Sequence, residues 1–189
     1  ASIDKLSRLF TILNKRTSKM SEQLIFEDSF DGQLDEGWTW LRENPDAWRL
    51  QDGALEIMVE PGVADTVMNA LLRTAPDRSE GTFAIDVSIT NSTHPIQQYE
   101  QAGITWYNDG KPVFKLVKEL IDGDLYIIPG RPAMSSETVQ LRLVVRADSW
   151  TAQFRSNGEG EFQTAAEGEL PPPCDDQVSI QCYNGPPDA

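Results

Sequence analysis

Residues 99–119, YEQAGITWYNDGKPVFKLVKE, alternate polar and apolar side chains on both sides of an Asn-Asp-Gly turn. Gln101, Thr105 and Tyr107 take one parity, while Ala102, Ile104 and Trp106 take the other. On the return run, Lys115 and Glu119 fall where they join the polar set of a β-hairpin. An amide, a phenol, an ammonium and a carboxylate on one surface supply donors and acceptors for a polyhydroxylated ligand, with an aromatic face for its C–H surface. Arg142 in VQLRLVV, and Asn69 and Arg73 in NALLRT, carry groups of the same kind. Trp40 and Arg42, in WTWLR, would set an indole beside a guanidinium at the border of such a surface. The candidate ligand-binding set is therefore Trp40, Arg42, Asn69, Arg73, Gln101, Tyr107, Lys115, Glu119 and Arg142. Two plainer readings compete. Lys115, Glu119 and Arg142 would equally form cross-strand ion pairs on a solvated face, and Trp38, Trp40 and Trp48 would equally fill core.

Other chemistries are poorly served. Glycoside hydrolysis needs two carboxylates on one face at a defined separation. Glu119, Asp122 and Asp124 lie near one another, but Asp122-Gly123-Asp124 reads as a turn, and Glu159 and Glu161 sit between glycines in a loop. No Gly-x-Ser-x-Gly elbow is present. His94 is the one histidine, so a His/Cys zinc site of the usual kind cannot be assembled. Catalytic residues and cofactors are accordingly expected to be none. A structural calcium ion stays open, because oxygen ligands are abundant, but it would have to be built from distant loops. Cys174 and Cys182, eight residues apart, are expected as a free buried pair, with a disulfide as the alternative.

From Leu24 onward the apolar period is two, with turn signals at Asp31-Gly32, Asn44-Pro45, Asp52-Gly53, Pro61-Gly62 and Asn108-Asp109-Gly110. About twelve short strands in this rhythm, with no long helix, predict an antiparallel two-sheet sandwich or jelly roll. Residues 1–19 differ: Ile3, Leu6, Phe10 and Leu13 recur at helical spacing among Lys and Arg, which predicts a short amphipathic helix or extension ahead of a single β domain over 20–189. Targeting and sequence upstream of a start at Met20 are the alternatives for that segment.

The chain of 189 residues carries a net charge of -14. Residues 1–19 hold a net +4, so the remainder holds -18. That acidity argues against nucleic acid and anionic membranes as partners and tolerates neutral sugars or basic proteins. The longest apolar runs are too short to span a bilayer. A cytoplasmic setting is the expectation.

Four segments in order, 26–57, 69–74, 99–119 and 139–156, carry a resemblance. The runs Trp-x-Trp-x-Arg-Glu-Asn-Pro and Glu-Gln-Ala-Gly are its specific parts. The chain resembles concanavalin A-like jelly rolls, and more narrowly the "regulation of enolase" proteins and the C-terminal domains of β-xylosidases, over about residues 25–185. The resemblance implies two packed antiparallel sheets, with any ligand on a concave face. It leads to the expectation of a non-catalytic, carbohydrate-binding-like domain for a saccharide or sugar-like metabolite. A protein-interaction or regulatory module is the alternative, and a glycoside hydrolase acting through Glu119 is the third reading.

Overall fold

The period-two runs are strands. The computed structural model describes residues 23–187 in full, and 3–7 and 13–14 as backbone. The described residues form fifteen strands: β1 Ile3–Ser7, β2 Leu13–Asn14, β3 Gln23–Leu24, β4 Thr39–Leu41, β5 Trp48–Gln51, β6 Ala54–Met58, β7 Ala70–Thr74, β8 Phe83–Asn91, β9 Gln101–Asn108, β10 Lys111–Ile121, β11 Asp124–Ile128, β12 Thr138–Val145, β13 Ser149–Ser156, β14 Gln163–Glu169 and β15 Gln177–Tyr183. A seven-stranded sheet has the order β14-β13-β12-β8-β1-β6-β5, and a six-stranded sheet the order β11-β10-β9-β15-β7-β4. Every pairing is antiparallel, and the chain passes repeatedly from one sheet to the other. The molecule is an all-β two-sheet sandwich.

One face of each sheet makes the core. Phe83, Ile85, Val87 and Ile89 of β8 and Val139, Leu141, Leu143 and Val145 of β12 meet Ala102, Ile104 and Trp106 of β9 and Val178, Ile180 and Cys182 of β15. Burying each large aliphatic side chain contributes about 1.5–3 kcal/mol. Phe114 and Trp150 stack at 4.4 Å across the sandwich. Two buried cations tie the sandwich together, Lys118 at a core-facing position of β10 and Arg78 in the turn between β7 and β8. Lys118 donates to Asn91 Oδ1 at 2.6 Å and to the Ser136 carbonyl at 2.5 Å. Arg78 donates to Asp176 Oδ2 at 2.7 Å, to the Ala147 carbonyl at 2.6 Å and to the Pro171 carbonyl.

The hairpin over 99–120 is formed as expected. Asn108 pairs with Lys111, and Asp109 (φ 52°) and Gly110 (φ 70°) make the two-residue turn, whose left-handed backbone matches the strand twist.

The helix expected over 1–19 is corrected. Ile3–Ser7 is a strand, paired with β6 along Ala54–Met58 and with β8 at Ile89–Asn91. Leu13–Asn14 is extended and pairs with Gln23–Leu24, and the rest of that segment lies outside the described residues. Helical periodicity lost here because a short isolated helix is marginal in water, whereas the facing edges of β6 and β8 offer open ladders to a strand between them.

Candidate functional site

Away from the core, the six-stranded sheet carries polar rows set by its register. Glu119 stands opposite Gln101, which stands opposite Tyr183; Lys115 stands opposite Thr105, which stands opposite Ser179. Lys115 Nζ donates to Gln101 Oε1 at 2.6 Å and to Glu119 Oε2 at 3.0 Å. Gln101 Nε2 closes the triangle, donating to Glu119 Oε1 at 3.0 Å and to the Tyr99 carbonyl at 2.9 Å. The Lys115 ammonium also lies 5.9 Å from the Tyr183 ring centroid, within cation–π range. The Lys115 side chain is 29% exposed against 6% for Glu119, so the ammonium is the accessible tip of a sunken triad.

The other half of this face is roofed. The Glu60–Met68 segment crosses β15, held by the Gly62–Gly185 bridge and by Asn184 N donating to the Glu60 carbonyl at 3.2 Å. Beneath it, Val67 packs with Ala70, Leu72 and Tyr183. The Tyr107 hydroxyl donates to the Ala64 carbonyl and, at 3.2 Å, to Gln181 Oε1. Burial raises the Tyr107 phenol above its ordinary pKa, outweighing the neighbouring Arg42. Burial, seconded by Glu119, raises Tyr183. Among the described residues, Thr105 Oγ1 on this face and Asn69 Nδ2 nearby are buried without a hydrogen-bond partner.

Of the expected site residues, Gln101, Tyr107, Lys115 and Glu119 are brought onto this one face. Arg42 reaches its roofed side: its Nε donates to the Val67 carbonyl at 2.6 Å. Asn69 is fully buried, and its Oδ1 accepts from Asn44 N at 2.7 Å, tying two loops together.

Three residues lie elsewhere. Trp40 pairs with Leu71 on the core side and tilts against Trp48 at 4.7 Å. The left-handed backbone at Arg42 (φ 56°) breaks the parity that would have joined the two. The same conformation at Asn69 (φ 55°) uncouples it from Arg73, whose guanidinium stacks on Phe26 at 3.4 Å and donates to the Glu36 carbonyl at 2.6 Å. Arg142 belongs to the other sheet. It forms a two-point pair with Asp86 of β8, at 2.7 and 2.6 Å, and lies 4.0 Å from the Phe162 ring.

Ser179, Gln181 and Tyr183 were missed, although VSIQCYN carries the alternation that separates them from Val178, Ile180 and Cys182. What the string lacks is the adjacency of β15 to β9.

No family model and no curated protein matches the chain. Among solved structures, it aligns over 84% of its length with a GH43_12 glycoside hydrolase retrieved from capybara gut metagenome, at 11% identity and a TM-score of 0.63. The CBM2 module of the evolved Dit of Lactobacillus casei BL23 phage J-1 aligns over 95% of this chain and 91% of its own, at 11% identity and a TM-score of 0.51. A functionally unknown protein from Saccharomyces cerevisiae aligns over 77% of this chain and 86% of its own, at 15% identity and a TM-score of 0.50. What these likenesses share with the chain is the fold, a two-sheet β-sandwich. The chain spans 35% of the hydrolase's length and so corresponds to one part of that protein.

The six-stranded sheet of this sandwich presents a face equipped for hydrogen bonding. The triad holds one carboxylate, Glu119, committed to Lys115 and Gln101. Among the described residues no cluster of three or more His, Cys, Asp or Glu is placed to hold a metal ion. The two cysteines are not buried together as expected: Cys182 is buried, Cys174 lies exposed in the loop before β15, and no disulfide joins them.

Proposed function

We propose that this domain binds, without turnover, a saccharide or sugar-like metabolite at the Lys115–Glu119–Gln101 triad. The observation that carries the reading is the geometry of that triad. Lys115 has three protons and two are engaged, while each Glu119 oxygen accepts one bond and keeps a further lone pair. One ligand hydroxyl can accept from the ammonium while its neighbour donates to the carboxylate, so the pair suits a vicinal diol. Tyr126, half-buried opposite Glu119 on β11, supplies aromatic surface for a sugar's C–H groups. The likeness to a carbohydrate-binding module and to a glycoside hydrolase supports the ligand class. With few groups accessible, the expected Kd is about micromolar to millimolar.

Calorimetric titration with a panel of mono- and oligosaccharides tests this. Saturable binding to a diol-bearing sugar is expected, weakened about tenfold or more, at least 1.4 kcal/mol, in Lys115→Met and Glu119→Gln proteins that remain folded. Binding that both variants retain would place the ligand elsewhere. Turnover of aryl glycosides lost in Glu119→Gln would instead make the domain a hydrolase.

The resemblance to the "regulation of enolase" proteins supports a second reading, a protein-interaction module of carbohydrate metabolism. The observation favouring it is charge: a basic 1–19 segment attached to a strongly acidic body. Because Ile3–Ser7 is a strand between β6 and β8, truncation would damage the sheet. Charge reversal at Lys15 and Arg16 is the cleaner test. It should abolish partner capture and leave sugar binding intact.

A further inference from the structure

Building on the saccharide-binding reading, we infer that the ligand is an acidic sugar, a uronic acid or a glycan residue of that kind, whose carboxylate is taken by Arg131. The sheet face continues past the triad onto β11. Tyr126 of β11 stands directly opposite Glu119, so their side chains share that face. The Arg131 guanidinium, from the turn after β11, lies 4.8 Å from the Tyr126 ring centroid, within cation–π range. The backbone fixes that turn: Arg131 N donates to the Ile127 carbonyl at 3.0 Å, and Tyr126 bridges to Ala133. Contacts thus link Lys115, Glu119, Tyr126 and Arg131 in that order.

The two cations of this row differ in what already holds them. The Lys115 ammonium donates to Gln101 and Glu119 and keeps one proton. The Arg131 guanidinium makes no hydrogen bond among the described residues. Its ion pair, with Asp122 Oδ2, is 3.8 Å long, beyond hydrogen-bond length. With the two side chains 55% and 79% exposed, such a pair contributes little. The N–H groups of Arg131 are therefore uncommitted, and they form the planar fork that matches a carboxylate at two points. A hydroxyl of a neutral sugar uses less of that fork and none of its charge. Adjacent strands stand about 4.8 Å apart. A pyranose that gives its vicinal hydroxyls to Lys115 and Glu119 can therefore direct a carboxylate on its far side across Tyr126 to Arg131. The net charge of -14 opposes an anion at a distance. At physiological salt that repulsion is screened beyond about 8 Å, whereas the contact with Arg131 is direct.

Calorimetry with the intact chain compares the methyl glycosides of glucuronic and galacturonic acid with those of glucose and galactose. The expected result is a uronide that binds about tenfold or more tightly than its neutral counterpart. Arg131→Met should abolish that preference and leave the Kd of the neutral sugar within about twofold. Asp122→Asn, which removes the competing carboxylate, should tighten uronide binding. Both side chains are exposed, so neither change threatens the fold. Equal affinity for uronide and neutral sugar, or a preference that survives in Arg131→Met, would overturn the acidic-sugar inference and leave saccharide binding in place. Silence from every sugar would remove the saccharide reading and this inference with it.

Discussion

Lys115 and Glu119 form a pair on which both local stability and the proposed ligand site depend. Glu119 is nearly buried, and its charge is compensated by Lys115 at 3.0 Å and by the Gln101 amide. Removing the ammonium strands a carboxylate in a poorly hydrated place, at a cost of about 1–3 kcal/mol. Lys115→Met should therefore lower the urea midpoint, and adding Glu119→Gln should restore most of the loss. A double variant no more stable than Lys115→Met would show that the pair is not coupled. The buried phenols make a second prediction at this scale. Tyr107 and Tyr183 both hold their protons more tightly in the folded chain than in the unfolded one. Their contribution is complete below the unfolded tyrosine pKa of about 10 and is lost as the pH rises above it. Urea unfolding between about pH 8 and 11 should show stability falling at the alkaline end. Changing both tyrosines to Phe should flatten that fall.

At the scale of elements, the β9–β10 hairpin places the triad, and Gly103 lets its strands close. A Cβ at Gly103 would collide with the Leu116 carbonyl and come within 2.8 Å of Val117 Cα, both backbone atoms of β10 that cannot swing aside. Gly103→Ala should cost about 2–4 kcal/mol, read as a drop in thermal midpoint, and should weaken sugar binding by shifting Lys115 against Gln101. Gly110 in the turn meets nothing within 4 Å, so Gly110→Ala carries only the strain of its φ of 70°, about 1 kcal/mol. Equal effects of the two substitutions would refute the distinction between backbone collision and turn strain.

On the scale of the whole molecule, the sandwich is closed by its apolar faces and by a few deep polar ties. Arg78 has a side chain that is 1% exposed and binds Asp176 and two carbonyls from separate loops. Breaking such a pair from one side typically costs about 3–5 kcal/mol, because the other charge is left unpaired. Arg78→Met should bring a loss of that order by chemical denaturation, while saccharide binding in the folded fraction is unchanged, since Arg78 lies away from the Lys115 triad. A loss below about 1 kcal/mol would mean that water replaces the guanidinium without difficulty.

The sequence alone determined the class of the fold and the strongest piece of the site. Period-two alternation is a property of each strand, so Ala102, Ile104 and Trp106 declared the core side of β9, and Gln101 and Tyr107 the opposite side, before any partner was known. Asp109-Gly110 likewise set the hairpin that brings Lys115 and Glu119 to Gln101. Tertiary structure decided everything that depends on which strand lies beside which. Arg142 has the right parity but belongs to the other sheet, and Ser179, Gln181 and Tyr183 enter the site through β15, some 75 residues along the chain from β9. Left-handed residues at Arg42 and Asn69 rotated Trp40 and Arg73 out of the set, because one such residue ends the alternation on which parity depends. Ile3–Ser7 went to strand rather than helix for the same reason: ladder positions on β6 and β8 exist only after the rest of the sheet has formed.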